Sequence, residues 1–207
     1  MNSNNKPVIL IGSGGHAGVL AEILQIKTER ILGIVDPNRR VGEKYFGLKI
    51  IGNDSIIESH APEDIVLVNG IGSLPGVDTR WQISNKFRSL KYNFLSLVHP
   101  NASLSSNVKI GEGAQIMNGS VIQHGVVLGK DCILNTGVIV DHNCSIGNFS
   151  HIAPGCVLSG GVTIGEGTHI GTGSKIIQNI SVGNNVIVAA GSIIHKNIDS
   201  DTKYLKK

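Results

Sequence analysis

Apolar positions follow two different rules along this chain, and the change comes near Leu97. Before it, short aliphatic runs alternate with helical spacing. Val8-Ile9-Leu10-Ile11 reads as a buried strand, Gly12 to Gly15 as the turn that ends it, and Ala17, Leu20, Ala21 and Leu24 as the apolar stripe of a helix. A second strand is expected over Ile31 to Val35, ending at Asp36-Pro37, and a third over Ile65 to Val68. A helical stretch around Trp81, Ile83 and Phe87 and a last strand near Phe94 to Val98 complete the pattern. Strands that alternate with helices predict an α/β domain over residues 1–97.

After Leu97 a period of six takes over. Its first position, from Val98 through Leu104 and Ile110 to Ile194, is Val, Leu or Ile without exception. The fifth holds small or β-branched residues, among them Cys132, Cys144, Cys156 and Ile198. The fourth is Gly, Asn or Asp everywhere except Phe149, and these residues tolerate the left-handed backbone of a sharp corner. An aliphatic knob and a corner every six residues close a triangular coil every eighteen. Coils stacked about 4.8 Å apart satisfy one another's backbone hydrogen bonds. The seventeen hexads from Val98 to Asp199 therefore predict a parallel β-helix over 98–199, with 200–207 left as a C-terminal tail.

Composition narrows the function classes. Hydrophobic content of 41% with 16% charged residues excludes a disordered chain, and 27 glycines beside few aromatics fit a turn-rich aliphatic fold. The net charge of +3 is too small and scattered to indicate nucleic acid. The run Val8 to Ile11 is too short for a signal peptide or membrane span, which predicts a cytoplasmic protein without membrane contact. Three cysteines do not make a disulfide framework, and their fifth-position slots assign them to packing.

Chemistry-bearing residues stand out against this frame. The third position of a hexad faces outward, so His142 stands one coil above His124 on the outer wall, where it is either plain surface or a general base. His151 lies on a different face and precedes His169 by eighteen, so its residue-level reading is a surface histidine ladder. Gly12-Ser13-Gly14-Gly15, between a strand and a helix, can bring backbone N–H groups to a phosphate. As a dinucleotide fingerprint it is weak, and a plain turn is the alternative.

The hexads resemble the left-handed parallel β-helix of hexapeptide acyltransferases, and the left hand is taken from that resemblance. More specifically, Ile11 to Gly18, Val35-Asp36-Pro37, Ile71-Gly72, Leu134-Asn135-Thr136 and Val140-Asp141-His142-Asn143-Cys144 through Ser150-His151 resemble the NeuD/PglD group of sugar acetyltransferases. The resemblance implies a Rossmann-like nucleotide-sugar domain followed by a left-handed β-helix. It implies direct acetyl transfer from acetyl-CoA, without a metal, to the amine of a UDP- or GDP-linked amino sugar. His142 would be the base. His151, Gly160 and Thr172 would line the acetyl-CoA site, and Gly14, Gly15, His16, Asp36, Pro37 and Gly72 the acceptor site. A homotrimer with active sites between subunits is implied as well.

Two positions depart from the group. The carboxylate that follows the histidine in bacillosamine-pathway members is Asn143 here, which leaves Asp141 and Asn135 as alternative supports for the ring. The usual Gly-Val-Pro-Ala-Lys ending is replaced by Asp199 to Lys207, whose Lys203, Lys206 and Lys207 are expected in a solvated tail. The broken corner at Phe149 is expected to be distorted so as to shape the cofactor cleft. Rival readings are O-acetylation of a sialic-acid-like sugar, a non-catalytic nucleotide-sugar scaffold, and a zinc carbonic anhydrase. The last lacks the local histidine pair, since Gly147 and Gly129 stand five residues after His142 and His124.

Overall fold

A computed structural model describes residues 6–205, and the chain divides into two compact units, 1–97 and 98–207. Lys206 and Lys207 lie outside the described residues.

In the first unit β1 (Val8–Ile11) leads into α1 (Gly15–Ile26), and β2 (Ile31–Val35) follows. Then come β3 (Lys44–Tyr45), β4 (Leu48–Gly52), α2 (Asp54–Glu58), β5 (Val66–Asn69) and α3 (Thr79–Ser89). The sheet order is β3-β4-β2-β1-β5, parallel except for the β3–β4 hairpin. Every residue of β1 and β5 is buried, as in a parallel sheet covered on both faces. Ile9 and Ile11 share a core with Ile57 of α2 and Phe87 of α3. α1 packs against β1. A side chain at Gly70 would strike the Ile11 carbonyl at 2.7 Å and the Ala17 Cβ at 2.8 Å, so only glycine lets the segment after β5 lie this close to α1.

The hairpin and α2 were not legible. β3 holds only two residues, and α2 is a five-residue helix started by Asn53, whose side-chain oxygen accepts the Ser55 N–H. The expected last strand is split. Phe94 makes a lone bridge to Leu67, while Leu97–Val98 is the first strand of the β-helix.

The second unit is a prism of three parallel sheets with six, five and seven strands. Strands pair at a spacing of eighteen, as in Val121 with Ile139 and Ile139 with Val157. First- and fifth-position side chains fill one continuous core that includes the three cysteines, all free thiols. Burial pushes the thiols of Cys144 and Cys156 up, against partial relief from backbone hydrogen bonds, so they stay protonated.

Three expectations change. Every fourth-position corner from Gly113 to Gly191 is left-handed, but Asn101, Asn107 and Asn197 are not among the positive-φ residues. Phe149 sits at φ 56° like its neighbours, and its N–H reaches the Lys130 carbonyl at 2.8 Å, the bond Asn143 makes to His124 at 2.9 Å. The corner is regular, and an aromatic residue simply bears the left-handed strain.

The period also fails near its end. Ile198 pairs with Val182 and Lys203 with Ile187, both at a spacing of sixteen, so two residues are lost between Ile194 and Ile198. Ile198 is therefore a first-position residue, not a fifth. The hexad then resumes in the new phase, with Asp201 as a left-handed corner at φ 59° and Tyr204 packed on the core. The expected tail thus continues the coil as far as the structure is described.

Candidate active site

Two groups of polar residues emerge, one on each unit. In the first unit a cavity of about 820 Å³ lies at the carboxyl ends of β1, β2 and β5, within the size range of small-molecule sites. Gly14, Gly15, His16, Asp36, Pro37 and Gly72 all line it. Gly14 is the N-cap of α1 and offers no side-chain cap, so an outside acceptor can take that place at the helix start. A Cβ at Gly14 or Gly15 would meet no protein atom within 4 Å. These two glycines keep open space rather than relieve a clash within the chain.

Asp36 closes the other side, and its carboxylate is heavily engaged. One oxygen accepts the Ser13 N–H at 3.0 Å and the Ser13 hydroxyl at 2.6 Å, and the other accepts the Asn38 N–H at 2.9 Å. Burial pushes this carboxyl up. Hydrogen bonds from the Ser13 hydroxyl, the Asn38 and Ser13 N–H groups, and the Arg39 charge outweigh it and hold Asp36 below the ordinary carboxylate value. Arg39 donates to the Ser13 hydroxyl at 3.1 Å and lies 4.3 Å over the Tyr45 ring. Asp36 thereby clamps the glycine loop to the end of β2. Behind the cavity, buried Arg80 donates to the carbonyls of Asn69 and Ile71, while Asn69 donates to the Arg80 carbonyl and the Ser84 hydroxyl. Sequence reasoning passed over Ser13, Arg39 and Arg80. Only Ser13, inside the glycine run, carried a local signal.

On the β-helix, His142 is exposed at a corner. Gly160 lies one coil above it, and a Cβ there would sit 2.5 Å from Cε1 and 2.6 Å from Nε2 of the imidazole. The ring is therefore bedded on bare backbone. Asn143, left-handed at φ 58°, brings its amide nitrogen to 3.2 Å from His142 Nδ1. Asp141 does not support the ring in this way. Its carboxylate accepts the His142 backbone N–H at 2.7 Å and holds the corner. Asn135, the other expected support, instead meets His151, with its amide nitrogen 3.1 Å from Nε2. His151 stacks edge-to-face on His169, with ring centres 4.9 Å apart. Thr172 is exposed at another corner, so it shares neither the Gly160 corner nor the His142 ring contact. Among the described residues no group of three or more His, Cys, Asp or Glu converges to hold a metal ion, and no helix is long and apolar enough to cross a membrane.

The PglD N-terminal domain family matches residues 7–87, and the bacterial transferase hexapeptide family matches 107–142 and 161–196. The acetyltransferase domain of PglB from Neisseria gonorrhoeae, solved in complex with acetyl coenzyme A, is 34% identical, with a TM-score of 0.85 over 95% of this chain and 94% of that one. The chain belongs to the PglD-type hexapeptide-repeat sugar acetyltransferases. The prism is accordingly the left-handed β-helix of that family. PerB from Caulobacter crescentus, solved with CoA and GDP-perosamine, is 30% identical, with a TM-score of 0.85 over 94% of this chain and 91% of that one. UDP-N-acetylbacillosamine N-acetyltransferase of Bacillus subtilis is 31% identical over 118 residues, 54% of this chain, and the match spans only about half, 51%, of that relative. Within such a family, the uncapped helix at Gly14 and the imidazole bedded on Gly160 are the two places with chemistry to offer.

Proposed function

We propose that this protein transfers the acetyl group of acetyl-CoA to the amino group of a UDP- or GDP-linked 4-amino-deoxy sugar, with His142 as general base. The observation that carries the reading is the His142 imidazole, exposed and seated between Gly160 and Asn143. The names of the PglB and PerB relatives, one solved with acetyl coenzyme A and the other with GDP-perosamine, supply the reaction class.

In this mechanism the diphosphate of the acceptor takes the free N–H groups at Gly14 and Gly15, beside His16 and Gly72. Asp36 and Pro37 wall the nucleoside end. The sugar amine attacks the thioester carbonyl while His142 removes its proton, the carbon–sulfur bond breaks, and CoA leaves as the thiol. No acyl-enzyme forms. To act through Nε2, His142 must carry its proton on Nδ1, which requires Asn143 to present its amide oxygen there. A half-turn of the amide achieves this, because its oxygen and nitrogen interchange with little change of shape. His151, Gly160 and Thr172 flank the thioester arm. The working unit is a homotrimer with the site in the cleft between prisms. Ile139 and Val127, exposed at 41% and 42% on two different sheets of the prism, are apolar positions that neighbouring copies would cover.

The test is CoA-thiol release with a panel of UDP- and GDP-linked amino sugars and free sialic-acid-type sugars, alongside a mass measurement in solution. His142→Ala should lower turnover by about two to four orders of magnitude without changing the assembly. Release only with free sialic acids would make the enzyme an O-acetyltransferase. Nucleotide-sugar binding with no release would leave a scaffold. A monomer with full activity would refute the shared cleft.

A further inference from the structure

His142 and His151 are both held by an asparagine, but not in the same way. Asn135 is locked on every side. Its backbone N–H reaches the Ile152 carbonyl at 2.9 Å, and its own carbonyl accepts from the Ser120 hydroxyl at 3.0 Å and the Val138 N–H at 3.2 Å. Its side-chain oxygen accepts the Thr136 backbone N–H at 2.8 Å, with the Thr136 hydroxyl at 3.4 Å.

A backbone N–H can only donate, so the oxygen of the amide must face Thr136. The NH2 group must then face His151 Nε2, 3.1 Å away. An amide NH2 also only donates, so Nε2 must present a lone pair. A neutral imidazole with a bare Nε2 carries its proton on Nδ1. We infer that Asn135 is a positioning residue that fixes His151 as the neutral Nδ1–H tautomer, a hydrogen-bond donor through Nδ1 and not a second base.

The surroundings support a fixed, uncharged ring. His151 lies in register between Ile133 and His169 on neighbouring coils. The His169 ring crosses it at 81°, and burial holds His169 toward its neutral form. Protonating His151 at Nε2 would set one N–H against another and cost the Asn135 bond. The contrast with His142 is physical. Among the described residues no backbone N–H donates to the Asn143 amide oxygen, so that amide can turn, whereas the Asn135 amide cannot. If acetyl transfer occurs as proposed, one histidine removes the amine proton, and the other offers a fixed N–H to the cofactor side of the reaction. The use made of the donor rests on that reading. The tautomer does not.

The experiment is two-bond 1H–15N correlation NMR of the full chain labelled with 15N-histidine, with His151 assigned by comparison with His151→Gln. The wild type should show His151 as Nδ1–H near neutral pH. Asn135→Asp keeps shape and the Thr136 bond but turns a carboxylate oxygen to Nε2, and should move the proton to Nε2. It should also lower kcat for acetyl transfer by about tenfold or more while leaving the KM for acetyl-CoA within about threefold, because a single misdirected donor is lost. An Nε2–H signature in the wild type, or an unchanged His151 pattern in the variant, overturns the inference. The wild-type spectrum decides alone if the variant does not fold. A wild-type Nδ1–H signature in a chain that releases no CoA with any acceptor would uphold the tautomer and overturn the proposed function.

Discussion

Replacing Gly160 with alanine adds one methyl group under the imidazole proposed to be the base. Its carbon would lie 2.5 Å from Cε1, 2.6 Å from Nε2 and 3.1 Å from Nδ1 of His142. Ordinary carbon contacts are about 3.5–4.0 Å, so the ring must retreat by about 1 Å. His142 is exposed and can swing aside, and Gly160 is not among the left-handed glycines. Folding stability should change by less than about 1 kcal/mol, the range of a compatible Gly→Ala exchange. A 1 Å misplacement of a reacting group costs about a hundredfold in rate, equivalent to about 2.7 kcal/mol. Gly160→Ala should therefore lower kcat about a hundredfold, with an unchanged melting temperature and an unchanged KM for acetyl-CoA. Steady-state CoA release should be measured in the single variants and in the double variant with His142→Ala. If the methyl acts through the ring, it does nothing further once the ring is gone. Full additivity, or a loss confined to the acetyl-CoA KM, would refute action through the ring and leave Gly160 with only its place beside the thioester arm.

At the other site, Gly15→Ala should leave stability within about 1 kcal/mol of the wild type, because Gly15 is the first helical residue and its φ is not positive. The same methyl should weaken nucleotide-sugar binding in calorimetry, because it fills space that no protein atom occupies; intact affinity would empty that site of its proposed ligand. Asn143→Asp places a carboxylate beside His142 Nδ1 at a corner whose left-handed backbone suits aspartate. The acidic limb of kcat/KM should move to higher pH and the plateau should rise; an unmoved limb would show that the ring is not the titrating base. His169 is held below its ordinary value of 6.5 by burial, so the unfolded chain binds the extra proton first. Stability of the second unit should be full above about pH 6.5 and fall as pH drops toward the lowered value, and denaturant titrations of His169→Gln should lose that slope.

The prism was legible because one aliphatic residue recurs every six positions, and nothing else in the chain competes with that signal. Its last turn was not, since a loss of two residues leaves Ile198 aliphatic in either phase and only pairing with Val182 reveals the shift. Phe149 misled for a related reason. Sequence shows an unfavourable residue at a corner, but the coils on both sides dictate the backbone there. Cavity residues such as Gly14 and Asp36 could be named from the glycine run and the end of β2. The part played by Asp36 could not, because it depends on Ser13 turning its hydroxyl across from a different segment. Asn135 was read beside the wrong histidine. Neighbours along a coil are visible in sequence, whereas the contact at His151 crosses to the next coil.

Strict pairing at eighteen residues also limits how such a chain can change length. Removing one hexad between His142 and His151 would turn every later side chain by a third of a revolution, carrying each cofactor-side group onto a neighbouring wall. Removing a whole coil would instead slide the wall down by about 4.8 Å and keep each residue facing the same direction. The two-residue shortening falls after Ile194, beyond every residue assigned to acetyl transfer, so none of them is turned by it.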